Sequence, residues 1–263
     1  MINRPVVGVA VAVVVVAAGT WYFLQSRHAT SPAPIAAQQP APPEPAEPAI
    51  QHPLPEGAAN TPSEPLPALA DSDPALIDAL SQVAGNAAVK EYLLPENIVR
   101  HMVVTIDNLP RQKVAVQKRP TGPVPGSFVV VGDELHATLD PQNFARYQPM
   151  VTVISKLDMQ RLAGVYVHFY PLFQRAYQDL GYPNGYFNDR LVQVIDSLLA
   201  TPQPTGPIEL VRPNVMYQYA DPALESRPAG QKLLIRMGPE NAAAIKAKLT
   251  ELRAAIAAAP PKR

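Results

Sequence analysis

The stretch DMQRLAGVYVHFYPLFQRAYQDLGYP, Asp158 to Pro183, decides how the folded part of this chain is read. Asp158 is a helix-capping residue type. After it Leu162, Tyr166, Phe169, Phe173, Ala176 and Leu180 recur at intervals of three and four, the apolar stripe of an amphipathic helix over about Met159 to Leu180. Pro171 lies inside it, and its ring predicts a lost bond to the Val167 carbonyl and a kink. Gly181 ends the helix, and Tyr182-Pro183-Asn184-Gly185 forms a turn. A second helix follows over about Phe187 to Leu199, with Leu191, Ile195 and Leu198 facing inward.

On the N-terminal side, Asp73 as cap and Pro74 in the first turn predict a helix that Gly85 ends. Short helices follow over about Ala87 to Leu94 and Pro95 to Leu109. Arg111 to Gly126 reads as a basic, Pro-containing loop. Ser127–Val131 and Glu134–Thr138 read as strands joined at Gly132-Asp133, a two-residue hairpin signal. Asp140-Pro141 starts a helix that runs to about Lys156. On the C-terminal side, Ile208–Val211, Tyr217–Tyr219 and Lys232–Met237 read as strands, and Gly238-Pro239 opens a last helix with Ile245, Leu249, Leu252 and Ile256 along one face. Strands without βαβ alternation give an α+β class: one mostly helical domain over residues 68–259 with a small antiparallel sheet, ending in a frayed tail at 260–263. The last helix carries too few heptads for a coiled coil, so the sequence gives no support to a homo-oligomer.

Ahead of the domain, residues 25–67 form a spacer. Ala29 to Pro67 holds 12 of the 32 prolines, four Glu and no Lys or Arg, a composition that builds no core of its own and favours an extended, disordered tether. Residues 6–24 are an uncharged run ending in Trp21-Tyr22-Phe23-Leu24, preceded by a short tail at 1–5. Nineteen residues of helix span about 28 Å, the thickness of a hydrocarbon core. Bulky residues at its end fit an uncleaved anchor better than a signal-peptide cleavage site. The expectation is a single-pass protein of the bacterial inner membrane, N-terminus inside, with its domain in the periplasm.

Composition excludes several functions. There are no Cys, so no disulfide framework, thiol nucleophile or iron–sulfur cluster. Twenty-two basic against 22 acidic residues argue against general nucleic-acid binding. No metal-ligand His spacing, nucleophile elbow or phosphate-binding loop is present, so no catalytic residue, metal or cofactor is assigned.

The blocks Tyr170-Pro171-Leu172-Phe173-Gln174-Arg175-Ala176-Tyr177, Leu180-Gly181-Tyr182-Pro183, Phe187-Asn188-Asp189-Arg190, Asp196-Ser197-Leu198-Leu199-Ala200-Thr201-Pro202 and Gln231-Lys232-Leu233-Leu234-Ile235-Arg236-Met237-Gly238-Pro239 carry a resemblance. The chain resembles a proteobacterial family known only as a domain of unknown function, with an N-terminal anchor and a Pro-rich linker. The resemblance implies that architecture and no activity.

The concentration of rings is the strongest remaining signal. Eight of 17 aromatics fall between Tyr166 and Phe187. Tyr166, Phe169 and Phe173 lie on the inward stripe and read as core. Tyr170, Tyr177 and Tyr186, completed by Arg175 and Arg190, read as a candidate recognition surface, since Tyr and Arg are enriched in such surfaces. Lys232 and Arg236 share a face and form a second candidate, for an anionic group. The leading expectation is a non-enzymatic interaction or scaffold module whose partner is an envelope protein or cell-wall component. The alternatives are an envelope hydrolase using Asp189, Asp196 or His168 together, and a binder of a small anion.

Overall fold

The computed structural model describes residues 49–55, 65–133 and 136–257. The anchor at 6–24, most of the spacer and the tail at 260–263 lie outside the described residues. Among the described residues no helix is long and apolar enough to cross a membrane.

Among the described residues ten α-helices and four strands follow one another in an α+β order. The first helices are α1 (Asp73–Ala84), α2 (Asn86–Tyr92) and α3 (Ile98–Asn108). Strands β1 (Val130–Val131) and β2 (Ala137–Leu139) come next, then α4 (Gln142–Ala145), α5 (Gln148–Lys156), the long α6 (Met159–Asp179) and α7 (Phe187–Leu199). The chain closes with β3 (Glu209–Val211), β4 (Gln218–Tyr219), α8 (Pro222–Glu225), α9 (Ala229–Arg236) and α10 (Pro239–Ile256). The sheet is antiparallel in the order β1-β2-β3-β4.

Helix α6 is the axis of the fold, touching α1, α3, α7 and α10. The Asp158 carboxylate accepts from the Gln160 and Arg161 amides, as its residue type predicts. The helix runs on through Pro171 to Asp179. Its buried residues include Phe169, Tyr170, Leu172, Phe173, Ala176 and Tyr177, which meet Leu76, Ile98, Val99, Val103 and Phe187 in the main core. The apolar face is therefore wider than the stripe read from spacing, and Leu180 at its end is exposed. Phe173 stacks on Phe187 with ring planes only 6° apart, which fixes α6 against α7.

Four local expectations are corrected. Lys232–Met237 is helical, not a strand. Its burial falls at Gln231, Leu234 and Ile235, a three-and-four spacing, while Leu233 is 41% exposed. The period-two reading of Lys232 and Arg236 against Leu233, Ile235 and Met237 competes with a helical period, and the packing of Gln231, Leu234 and Ile235 settles it for the helix. The β1–β2 turn is longer than two residues, because Val131 pairs with Thr138. Gly132 has φ +98, and a Cβ there would sit 2.2 Å from the His136 carbonyl oxygen, so only glycine fits. The helix expected over 141–156 is two, α4 and α5. Buried Asn143 pairs with both backbone groups of Val129, accepting from its N–H at 3.0 Å and donating to its carbonyl at 2.6 Å, which ties the break to β1. Asp73 does not cap its own helix. Ser72 holds that position, and the Asp73 carboxylate accepts from the Asn97 and Ile98 amides at 2.6 and 2.8 Å, capping α3 instead.

The described spacer segment 49–55 is also unlike the free tether expected for it. Leu54 packs against the main core, and the segment's backbone is bonded to α7. A Pro-rich segment without a core of its own here borrows one from the domain.

Candidate functional site

The site lies where α7 begins. The turn 182–185 brings the chain back over α6. Gly185 is required there, since a Cβ would lie 2.7 Å from the Tyr177 ring. Gln174 of α6 then supports the start of α7. Its Nε2 donates to the Gly185 carbonyl at 2.7 Å, and its Oε1 accepts from the Phe187 amide at 2.8 Å and the Tyr170 hydroxyl at 2.9 Å. Tyr186, the N-cap, makes no side-chain cap of its own. This leaves its ring beside Tyr170, centroids 5.5 Å apart.

Asn188 is wholly buried and uses its whole amide. Its Oδ1 accepts from the Tyr166 hydroxyl at 3.0 Å, and its Nδ2 donates to the Ile256 carbonyl at 3.0 Å and to the His52 carbonyl at 2.8 Å. Asp189, in the first turn of α7, accepts from two successive amides of the segment: Gln51 at 3.0 Å and His52 at 2.6 Å. The Leu54 amide reaches the Tyr186 hydroxyl at 3.4 Å. Thus four backbone groups of a segment that bends at Gln51 and His52 are read by Tyr186, Asn188 and Asp189, while the Leu54 side chain packs on the core and Gln51 and Pro53 face outward. Burial drives the Tyr166 and Tyr170 hydroxyls far above the ordinary phenol range, with the neighbouring tyrosines adding to it, so both stay neutral donors.

The docking is finely balanced. Ordering a residue costs about 1–2 kcal/mol, which Pro53 and Pro55 lessen because their φ is already fixed. A bond to a charged acceptor such as Asp189 returns about 1.5–3 kcal/mol, and one between neutral groups about 1 kcal/mol.

Of the residues singled out by sequence, Tyr170 and Tyr186 meet in this groove. Tyr177 is 6% exposed and stacks on Tyr182 at 4.5 Å, so it is core. Arg175 pairs with Asp179 one turn on, a surface contact. Arg190 turns inward: its Nε meets the Asp107 carboxylate at 3.0 Å and its Nη2 the Asp107 carbonyl at 2.8 Å. Lys232 and Arg236 keep a common face, now by helical spacing, but on internal partners. The Lys232 ammonium meets the Glu225 carboxylate at 2.9 Å, and the Arg236 guanidinium lies over the Tyr219 ring. Burial pushes the Tyr219 hydroxyl up to about 12, against the pull of Arg236. Asp196 pairs with Arg253, and His168 sits exposed with its ring edge-on to Phe169. Asp189, Asp196 and His168 thus serve three separate partners.

Burial raises the Glu225 carboxyl, but the Lys232 and Tyr219 hydrogen bonds outweigh it and hold the group below its ordinary 4.5. The folded value lies below the unfolded one, so its contribution to stability is present above about pH 4.5 and is lost as pH falls through the folded value. The melting temperatures of the wild type and Glu225→Gln are expected to differ at pH 7 and to converge in acid.

An apolar pocket of about 420 Å³ lies elsewhere, between β2, the loop 202–207, α9 and α10. Phe144, Pro202, Pro204, Leu234 and Ile235 are among its walls, and no titratable side chain lines it. No group of three His, Asp or Glu among the described residues is placed to hold a metal ion.

Asn188 and Asp189 went unassigned as binding residues in the sequence because neither spacing nor composition shows which backbone a side chain faces. One signal was legible: Leu54 and Ile50 are large apolar residues in a spacer otherwise dominated by Ala, Pro and Glu.

The family described as Protein of unknown function (DUF3014) matches residues 98–253. The chain belongs to this family. The matched stretch contains every groove residue on α6 and α7, and the docked segment 49–55 lies ahead of it. No curated protein and no solved structure matches the chain.

Proposed function

We propose that this member of the family is a non-enzymatic interaction module of the bacterial envelope. A single N-terminal helix at residues 6–24 anchors it in the inner membrane, a Pro-rich tether carries it outward, and the domain docks a segment of another envelope protein in the periplasm. The observation that carries this reading is the pair of Asp189 bonds to the Gln51 and His52 amides, joined by the Asn188 bond to the His52 carbonyl. Side-chain groups aimed at neighbouring backbone groups hold a stretch of main chain through charge-assisted hydrogen bonds, whatever its side chains. They favour a polypeptide partner over a cell-wall glycan. The uncharged run and the spacer composition support the anchored placement.

The test is photo-crosslinking in cells with a photoreactive residue at Gln193, one turn beyond Asp189 on α7, and a control at Ala247 on α10, both in a chain whose own segment is loosened by His52→Pro and Leu54→Ser. The expected result is one abundant protein adduct at Gln193 that is absent at Ala247 and lost when Asp189→Asn is added. An equal pattern at both positions, or an adduct indifferent to Asp189, contradicts the reading.

A further inference from the structure

The geometry points to an exchangeable peptide seat at the head of α7, whose ligands are segments that bend at two free amides and then carry a leucine between two prolines, and whose cis occupant is residues 49–55. This rests on the interaction-module reading and names the class of ligand.

Three observations carry it. First, the seat reads backbone. Asp189 takes two consecutive N–H groups, Asn188 gives an N–H to the second residue's carbonyl, and Tyr186 meets the N–H two residues later. Any segment following the same course satisfies these groups equally. Second, the side-chain requirement is narrow. Leu54 enters the core cluster, whereas Ile50 is 55% exposed and Gln51 and Pro53 face solvent. The prolines stand at 53 and 55, where none of these bonds calls for an N–H, and they hold the chain in the extended form before it docks. The pattern is therefore two free amides, then Pro-Leu-Pro. Third, the seat carries a donor that the segment satisfies. With the segment in place Asn188 is wholly buried, and one of its two amide hydrogens is used by the His52 carbonyl. When the cis segment leaves, that donor opens to water, and another chain's carbonyl can take the water's place.

The cis segment has the advantage of its tether, which gives it a high effective concentration. A ligand in trans therefore binds visibly when the cis segment is weakened. The probe is a fluorescein-labelled synthetic peptide with the sequence of residues 47–57, titrated by anisotropy against the full chain in dodecyl maltoside micelles. Three chains are compared: wild type, a chain with His52→Pro and Leu54→Ser, and that chain with Asp189→Asn added. His52→Pro removes the N–H that Asp189 accepts, and both changes lie on the segment, outside the α6–α7 groove.

The loosened chain is expected to bind the peptide at least about tenfold more tightly than wild type, and Asp189→Asn to reverse at least about tenfold of that gain. A peptide with serine in place of its leucine is expected to bind at least about tenfold more weakly. Equal binding by wild-type and loosened chains, or indifference to the leucine, overturns the exchangeable seat. If that happens while the Gln193 adduct still forms and still depends on Asp189, the interaction module stands and only the ligand class falls. If both fail, both fall.

Discussion

Asp107→Ala is expected to cost about 3–5 kcal/mol of folding stability, the range for breaking a buried charge pair from one side, read as a shift in the urea midpoint. Asp107 is on α3 with its side chain 2% exposed. It takes Arg190 of α7 at 3.0 Å, Arg111 at 2.6 Å and the Tyr182 hydroxyl at 3.4 Å. Arg190 is itself 20% exposed. Without the Asp107 carboxylate its guanidinium keeps two neutral acceptors, the backbone carbonyl of residue 107 and the Gln193 side chain, but no opposite charge. Arg111 is 54% exposed, and the nearby Asp107 charge holds its guanidinium above its ordinary value. Being exposed it can turn to water, so Arg111→Ala is expected to cost far less. Similar losses for the two variants would show that the link between α3 and α7 does not depend on a buried charge.

Asn188→Ala is expected to cost about 2–4 kcal/mol, because it leaves buried partners unpaired as well as removing bonds. The Tyr166 hydroxyl loses its acceptor, and the Ile256 carbonyl at the end of α10 loses a donor. The same change removes the bond to the His52 carbonyl, so the docked segment loosens too. Asp189→Ala makes the useful contrast. The bonds its carboxylate accepts run to the segment, so it is expected to free residues 49–55 with little change in the melting temperature. Thermal melting with limited proteolysis of the segment separates the two. Equal melting temperatures for the two variants would contradict the role given to Asn188.

The helices were legible because their causes are local. Asp158, Gly181 and the three-and-four spacing of Phe169, Phe173 and Ala176 define α6 without tertiary help, and Phe187 to Leu199 defines α7 as observed. The α+β class followed from the same reading, with β3 and β4 near their expected places. Lys232–Met237 failed because six residues of mixed polarity fit both periods, and the packing of Gln231, Leu234 and Ile235 settles the choice. The aromatic cluster was legible as a feature and half legible as a site. Spacing cannot say that Tyr177 turns to Tyr182 while Tyr170 turns to Tyr186. The groove itself was hidden because its two sides stand about 136 residues apart, the separation of His52 and Asn188. A contact that distant leaves no periodic trace.

The central claim is that the head of α7 holds the main chain of residues 51–52 through Asp189. Amide hydrogen exchange at Gln51 and His52, in the full wild-type chain and in Asp189→Ala, tests it most directly. The account predicts slowed exchange at both amides in the wild type and a return to the rates of the free peptide in the variant. Free-peptide rates at Gln51 and His52 in the wild type would contradict it.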